Sequence, residues 1–131
     1  MKTARQLVDE ALAEVQTVGV DDLRAQLGEP GLCLLDIREA DELQAQGTIP
    51  GALCVPRGVL EFRLDPASPW VDAQATVGVQ RWVLFCAIGW RSALAAKALQ
   101  DMGHRNVSHL GGGFRAWLAA GGAVQPWSDK A

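Results

Sequence analysis

Cys86-Ala87-Ile88-Gly89-Trp90-Arg91-Ser92 sets a lone cysteine between the apolar run Trp82-Val83-Leu84-Phe85 and an alanine-rich segment of helical periodicity. A cysteine at the carboxyl end of a buried strand, followed by a short glycine-containing turn and a helix, sits where backbone N–H groups and the positive helix end converge. Such a setting favours a thiolate and any negative charge attached to it. Gly89 relieves the local backbone constraint, so the amides from Ala87 to Ser92 can curl around a sulfur atom. Arg91 supplies a full charge or a brace for the loop. Cys33 and Cys54 fall inside apolar runs and read as small core side chains.

Other polar residues could support this loop, each with a plainer alternative. Asp36 and Arg38 follow the run Leu32-Cys33-Leu34-Leu35 and so stand at the carboxyl end of a second strand. Asp36 either scaffolds the thiol or caps the next helix. Arg38 either adds positive potential or pairs with Glu42 at helical spacing, and the pair is the preferred reading. Arg57, just after Pro56, either guides an anion to the loop or is solvated. Trp90 is a pocket wall or a docking surface. His104 and His109 show no partner pattern and read as structural or exposed.

The elements that must hold these residues follow from periodicity. Residues 4–16 read as a helix with Leu7, Val8, Leu12 and Val15 inward. Val18-Gly19-Val20 reads as a short edge strand, and Asp21 or Asp22 as the cap of a helix over 23–27. Strands follow at 32–35, 53–55, 82–85 and 107–110, and helices at 39–46, 92–102 and 114–120. In the 92–102 helix, Leu94, Ala95, Ala98, Leu99 and Met102 form the inner side; in the last helix Phe114, Trp117 and Leu118 face inward. A helical turn is expected within 58–64, while 71–79 is left open between helix and coil. Short apolar strands alternating with amphipathic helices predict an α/β fold with parallel strands and helices on both faces. Ligand sites in such sheets lie beyond the carboxyl ends of the strands, where Asp36 to Glu39 and Cys86 to Arg91 both fall.

Composition narrows the function class. A chain of 131 residues, 49% hydrophobic, supplies one domain, here divided into an N-terminal helix (1–16), a central domain (17–123) and a C-terminal tail (124–131). The net charge of −3 and the scattered Lys and Arg argue against nucleic acid as a partner. Three widely spaced cysteines fit a reducing compartment better than a disulfide framework, and no metal-type spacing occurs. The N-terminal segment is broken by Asp9, Glu10 and Glu14, unlike a secretory signal, and no apolar run approaches the roughly 20 residues of a membrane span. These features predict a cytoplasmic protein without a membrane partner.

The ordered blocks Asp36-Ile37-Arg38-Glu39, Gly47-Thr48-Ile49-Pro50-Gly51-Ala52, Cys86-Ala87-Ile88-Gly89-Trp90-Arg91-Ser92 and Leu110-Gly111-Gly112-Gly113-Phe114-Arg115-Ala116-Trp117 resemble those of the rhodanese family. The resemblance implies a rhodanese-like three-layer fold, with a central, mainly parallel sheet flanked by helices. It also implies sulfane-sulfur transfer through a Cys86 persulfide, with Ala87, Ile88, Gly89, Trp90, Arg91 and Ser92 as the active-site loop and no cofactor or metal. Donors would be small sulfur-containing anions such as thiosulfate, or other persulfide-type donors. Acceptors would be cyanide or a thiol such as glutathione or thioredoxin. Two departures stand out: Thr48 replaces a histidine that many members carry, and Ala87 and Ile88 lack the charge that would recruit free thiosulfate strongly.

Two other readings share the architecture. One is a non-catalytic rhodanese-like binding or regulatory module. The other is a cysteine-dependent phosphatase or arsenate reductase, but the spacing of Cys86 and Arg91 is one residue shorter than the phosphatase loop that resembles it. Phe85 also stands where that pattern usually has histidine.

Overall fold

Five strands, β1 (Gln16–Val18), β2 (Leu32–Asp36), β3 (Leu53–Cys54), β4 (Arg81–Phe85) and β5 (Val107–Leu110), form one sheet in the order β1-β5-β4-β2-β3. Every neighbouring pair runs parallel. They belong to a computed structural model that describes residues 1–128. The helices are α1 (Ala4–Glu14), α2 (Val20–Gln26), α3 (Ala40–Gln46), α4 (Leu60–Arg63), α5 (Ala73–Thr76), α6 (Trp90–Asp101) and α7 (Gly113–Ala119), with a 3-10 turn at Arg57–Val59.

Strand parity sorts the core into two layers. Cys33, Leu35, Trp82, Leu84 and Val107 face Leu60, Leu64, Ala75, Ala95, Ala96 and Leu99, which come from α4 and its C-cap, α5 and α6. Leu34, Val83, Phe85 and Leu110 face Leu23 of α2, Ile49, and Phe114 and Trp117 of α7. Strands β2 and β4 are therefore covered on both sides, which is why they are almost continuously apolar.

Several expected boundaries and faces are corrected. Helix α1 rests on α6, with Val8 and Ala11 packing against Ala93; Leu7 and Leu12 are exposed. Small side chains let two helices approach closely, so the contact is a narrow stripe rather than a broad leucine face. The first strand lies two residues earlier than the 18–20 reading, because residues 16–18 pair with 108–110. Val20 already opens α2, so Asp21 and Asp22 lie in its first turn beside the positive helix end, and Gly19 is the cap. Helix α6 likewise starts at Trp90, two residues before the expected start. Its inner face is Ser92, Ala93, Ala95, Ala96 and Leu99, with Met102 exposed at its end. Leu118 also points outward. The open stretch 71–79 contains α5, capped by the Asp72 side chain, which accepts the Gln74 N–H at 2.9 Å. Gln125 forms an antiparallel bridge with Thr48, while residues 129–131 of the expected tail lie outside the described residues.

Candidate active site

Cys86 follows β4 directly, and parity with Trp82 and Leu84 turns its side chain to the α6 face. Its sulfur is buried and accepts the N–H groups of Gly89 at 3.2 Å and Ser92 at 3.3 Å. The Ser92 hydroxyl oxygen stands 3.5 Å from the same sulfur. This convergence requires the chain to reverse between β4 and α6, and Gly89 does so at φ +104°, a left-handed conformation that side chains oppose. The first amide used inside the helix is that of Ala93, which bonds Gly89 O at 3.2 Å. The Trp90 and Arg91 amides precede it and have no acceptor among the described residues.

The other side of the loop is pinned to α7. Cys86 O accepts the Phe114 N–H at 2.8 Å, and Ala87 O accepts the Arg115 N–H at 3.0 Å. Gly113 makes this approach possible, since a Cβ there would lie 2.6 Å from Cys86 O and 2.7 Å from Ala87 C. It also has φ +64°. Gly113→Ala should therefore push the loop away from α7 and destabilise the protein by about 1–3 kcal/mol. A denaturant titration together with an activity assay checks this: an alanine variant with unchanged midpoint and rate would show that the loop tolerates the displacement.

The hydrogen bonds of the Arg91 guanidinium go to Glu42 rather than to the sulfur. The guanidinium grips Glu42 of α3 through two bonds of 2.8 and 2.9 Å, so it braces the loop against its neighbour. The bond to Arg91 holds the Glu42 carboxyl down at about 2, against the opposing effect of partial burial, and Glu42 in turn raises Arg91. The depressed carboxyl keeps the brace charged at neutral pH, and the brace is lost only as pH falls through about 2. The pair lies near the surface, where solvent screening makes it a geometric brace more than a source of stability.

The preferred Arg38–Glu42 pair is thus corrected, because Arg91 takes Glu42 and Arg38 takes Asp36. The Asp36 carboxylate accepts from Arg38 Nε at 3.0 Å, Arg38 Nη2 at 2.8 Å and the Thr48 hydroxyl at 2.7 Å. Arg38 also donates to Gly47 O at 2.6 Å and to Gln46 Oε1 at 3.2 Å. Asp36 does not cap α3. Glu39 caps α3, and Asp36 pairs in register with Phe85, on the sheet face opposite Cys86. The Arg57 guanidinium is engaged by Glu61 at 2.8 Å rather than by the loop. Ile88 and Trp90 are exposed, and Ile88 lines a groove beside the loop.

Cys33 and Cys54 are unsuited to nucleophilic work. Burial, with Asp72 near the first and Asp36 near the second, pushes each thiol up to about 11.

His109, expected from the sequence to be structural or exposed, is brought beside the loop. It is buried, with Nδ1 2.9 Å from Ser92 Oγ and Nε2 2.9 Å from Thr17 Oγ1. Its signal was positional: it stands near the carboxyl end of a strand, two residues beyond core residue Val107, and so on the face Cys86 shares. His104 is structural, bonding Leu64 O at 2.9 Å and packing edge-on against Trp82. No cluster of three or more His, Cys, Asp or Glu side chains suited to a metal occurs among the described residues. No helix among them is long and apolar enough to cross a membrane.

Residues 19–120 match the family model for the rhodanese-like domain. The chain belongs to the rhodanese-like family. Known proteins and solved structures resemble this rhodanese-like chain along most of its length. It is 30% identical over 112 residues to human thiosulfate:glutathione sulfurtransferase, covering 82% of this chain and 96% of that protein. A Rhodopseudomonas palustris protein of unknown function, described as a possible tyrosine phosphatase, superposes with TM-score 0.90 at 38% identity, covering 95% of this chain and 96% of its own. Thiosulfate sulfurtransferase from Pseudomonas aeruginosa superposes with TM-score 0.72 at 28% identity, over 88% of this chain but 20% of that longer one. The rhodanese-like fold and the likeness to single-domain sulfurtransferases thus agree with the all-parallel sheet.

Proposed function

We propose that this protein is a sulfurtransferase that carries a sulfane sulfur on Cys86. The observation carrying this reading is the convergence of the Gly89 and Ser92 amides on the Cys86 sulfur, with the Trp90 and Arg91 amides still without acceptors in the same turn. In the first step the Cys86 thiolate attacks the outer sulfur of a donor such as thiosulfate. The donor S–S bond breaks, sulfite leaves with its electron pair, and a Cys86 persulfide remains. Amides beyond the thiol then serve the anionic outer sulfur. In the second step an acceptor thiolate or cyanide attacks that outer sulfur. The persulfide S–S bond breaks, returning the Cys86 thiolate and releasing a new persulfide or thiocyanate. No cofactor takes part in either step.

A relative and the loop's surroundings support a choice of donor and acceptor. The human relative's name supports thiosulfate and glutathione, and a groove of about 180 Å³ beside the loop supports an organic thiol acceptor. That groove is lined by Gln46, Ala87, Ile88, Phe114, Arg115 and Leu118, which combine apolar surface with a cation suited to a carboxylate. The uncharged Ala87 and Ile88 favour organic or protein persulfides over free thiosulfate as the working donor.

The phosphatase description of the Rhodopseudomonas protein supplies the competing reading. Against it stands Arg91, whose guanidinium is spent on Glu42 rather than offered to a phosphoryl group above Cys86. Intact-mass measurement after thiosulfate treatment separates the readings. A gain of one sulfur, mapped to Cys86 and removed by a thiol reductant, is expected, with no phosphate released from an aryl phosphate. Phosphate release without sulfur uptake would reverse the assignment. A protein that takes up sulfur from no sulfane donor would be a binding module.

A further inference from the structure

We propose that His109 is a positioning residue for the Cys86 sulfur, acting through the hydroxyl of Ser92. This rests on the sulfur-transfer reading for its consequence in turnover. The geometry is a continuous chain: Thr17 Oγ1 to His109 Nε2 at 2.9 Å, His109 Nδ1 to Ser92 Oγ at 2.9 Å, and Ser92 Oγ to Cys86 Sγ at 3.5 Å.

The Ser92 hydroxyl has one proton to give, and three acceptors surround it: the sulfur, His109 Nδ1 and Gly89 O at 3.3 Å. Which one receives it depends on the imidazole. When Thr17 donates its hydroxyl proton to Nε2, the ring proton sits on Nδ1 and is donated to Ser92 Oγ. Ser92 can no longer donate to the ring, which leaves Gly89 O and the sulfur as its acceptors, and an anionic sulfur takes the proton in preference to a neutral carbonyl. Every donor in the chain then points at Cys86, the arrangement an anionic sulfur requires. With a protonated thiol the chain runs the other way: S–H to Ser92, Ser92 to Nδ1, and Nε2–H to Thr17. The ring thereby couples the charge on a fully buried sulfur to a residue exposed at the sheet edge.

Two features hold the relay in place. Burial alone lowers the His109 pKa, so the ring stays neutral and keeps one donor and one acceptor nitrogen. Its cross-strand neighbours, Leu84 and Thr17, are uncharged, and the other titratable group of the chain, Cys86, is reached through Ser92. Gly111 leaves room for the Thr17 methyl beside the Thr17–His109 bond, since a Cβ there would lie 2.8 Å from that methyl.

The test compares His109→Leu, His109→Asn, Ser92→Ala and the double variant Ser92→Ala/His109→Leu. The readouts are kcat and KM for thiosulfate with cyanide, and the pH profile of alkylation at Cys86 by iodoacetamide. His109→Leu should lower kcat by about 10- to 100-fold, the worth of one hydrogen bond to a charged group, with little change in KM. His109→Asn, whose amide can donate toward Ser92, should restore most of the rate. The double variant should lose no more than Ser92→Ala alone, because both changes break one chain. Thr17→Val, at the exposed edge, repeats the test without touching the core should His109→Leu fail to fold; it should lower kcat in the same direction. Full activity in His109→Leu or Thr17→Val, or losses that multiply in the double variant, would overturn the proposal. Alkylation separates the two readings. A wild type that takes up no sulfur, yet whose Cys86 alkylation profile shifts in the His109 or Thr17 variant, sinks the transfer reading and leaves the relay standing. An unshifted profile sinks the relay.

Discussion

Thiocyanate formation from thiosulfate and cyanide falls to background in a Cys86→Ser variant, while the thermal unfolding midpoint moves little. The substitution exchanges one atom at a fully buried position, so the packing against the α6 layer is kept. The new hydroxyl also inherits the Gly89 and Ser92 amides as donors. What disappears is the nucleophile: an alcohol at neutral pH neither ionises nor exchanges with a sulfane sulfur. Loss of a covalent nucleophile costs at least about 10⁴-fold in turnover, so the assay should read nothing above the uncatalysed rate. Cys33→Ser and Cys54→Ser serve as controls and should stay active, because both thiols are held up at about 11 and neither stands in the loop. A Cys86→Ser protein that still forms thiocyanate, or a Cys54→Ser protein that does not, would move the reaction to another sulfur.

The fold was legible wherever local chemistry and tertiary packing asked for the same thing. The runs at Leu32 and Trp82 are buried on both faces, so their continuous hydrophobicity alone identified β2 and β4. The loop at Cys86 was legible for a similar reason, since a glycine was needed for a left-handed turn and the next segment was plainly helical. Helix faces were read less well. Leu7, Leu12 and Leu118 are apolar but exposed, because α1 meets α6 through small residues and Leu118 lines the groove beside the loop. Partners distant in sequence were the hardest. Helical spacing favoured Arg38 with Glu42, yet Glu42 belongs to Arg91, 49 residues away, and Arg38 turns back to Asp36. His109 had no local signature because its partners lie 17 and 92 residues away, on α6 and β1. Strand order brings them together, and strand order is a property of the whole sheet.

Arg38→Met, finally, should destabilise the protein by about 3–5 kcal/mol, a large share of the roughly 5–15 kcal/mol available to a domain of this size. Both side chains of the Arg38–Asp36 pair are fully buried. Removing the guanidinium leaves the Asp36 carboxylate with the Thr48 hydroxyl as its remaining side-chain donor, and leaves Gly47 O without the 2.6 Å bond it receives from Arg38. The cost arises from what is stranded, not from the intrinsic worth of the pair. Arg38→Lys should recover little of it. One ammonium cannot serve both Asp36 oxygens, Gly47 O and Gln46 at once, nor present a planar cation to the Phe114 ring, whose centroid is 4.2 Å from the guanidinium carbon. The double variant Arg38→Met/Asp36→Asn should regain part of the loss, since it removes the unpaired charge. The same residues explain why activity should fall as well. The guanidinium packs on Phe114, and the Phe114 N–H holds the Cys86 carbonyl at 2.8 Å, so loosening the cluster on one sheet face slackens the loop on the other. Urea titration reads the first effect as a lower midpoint at constant slope, and sulfur uptake by intact mass reads the second. A lysine variant as stable as the parent would show that charge alone suffices and that the forked geometry contributes nothing.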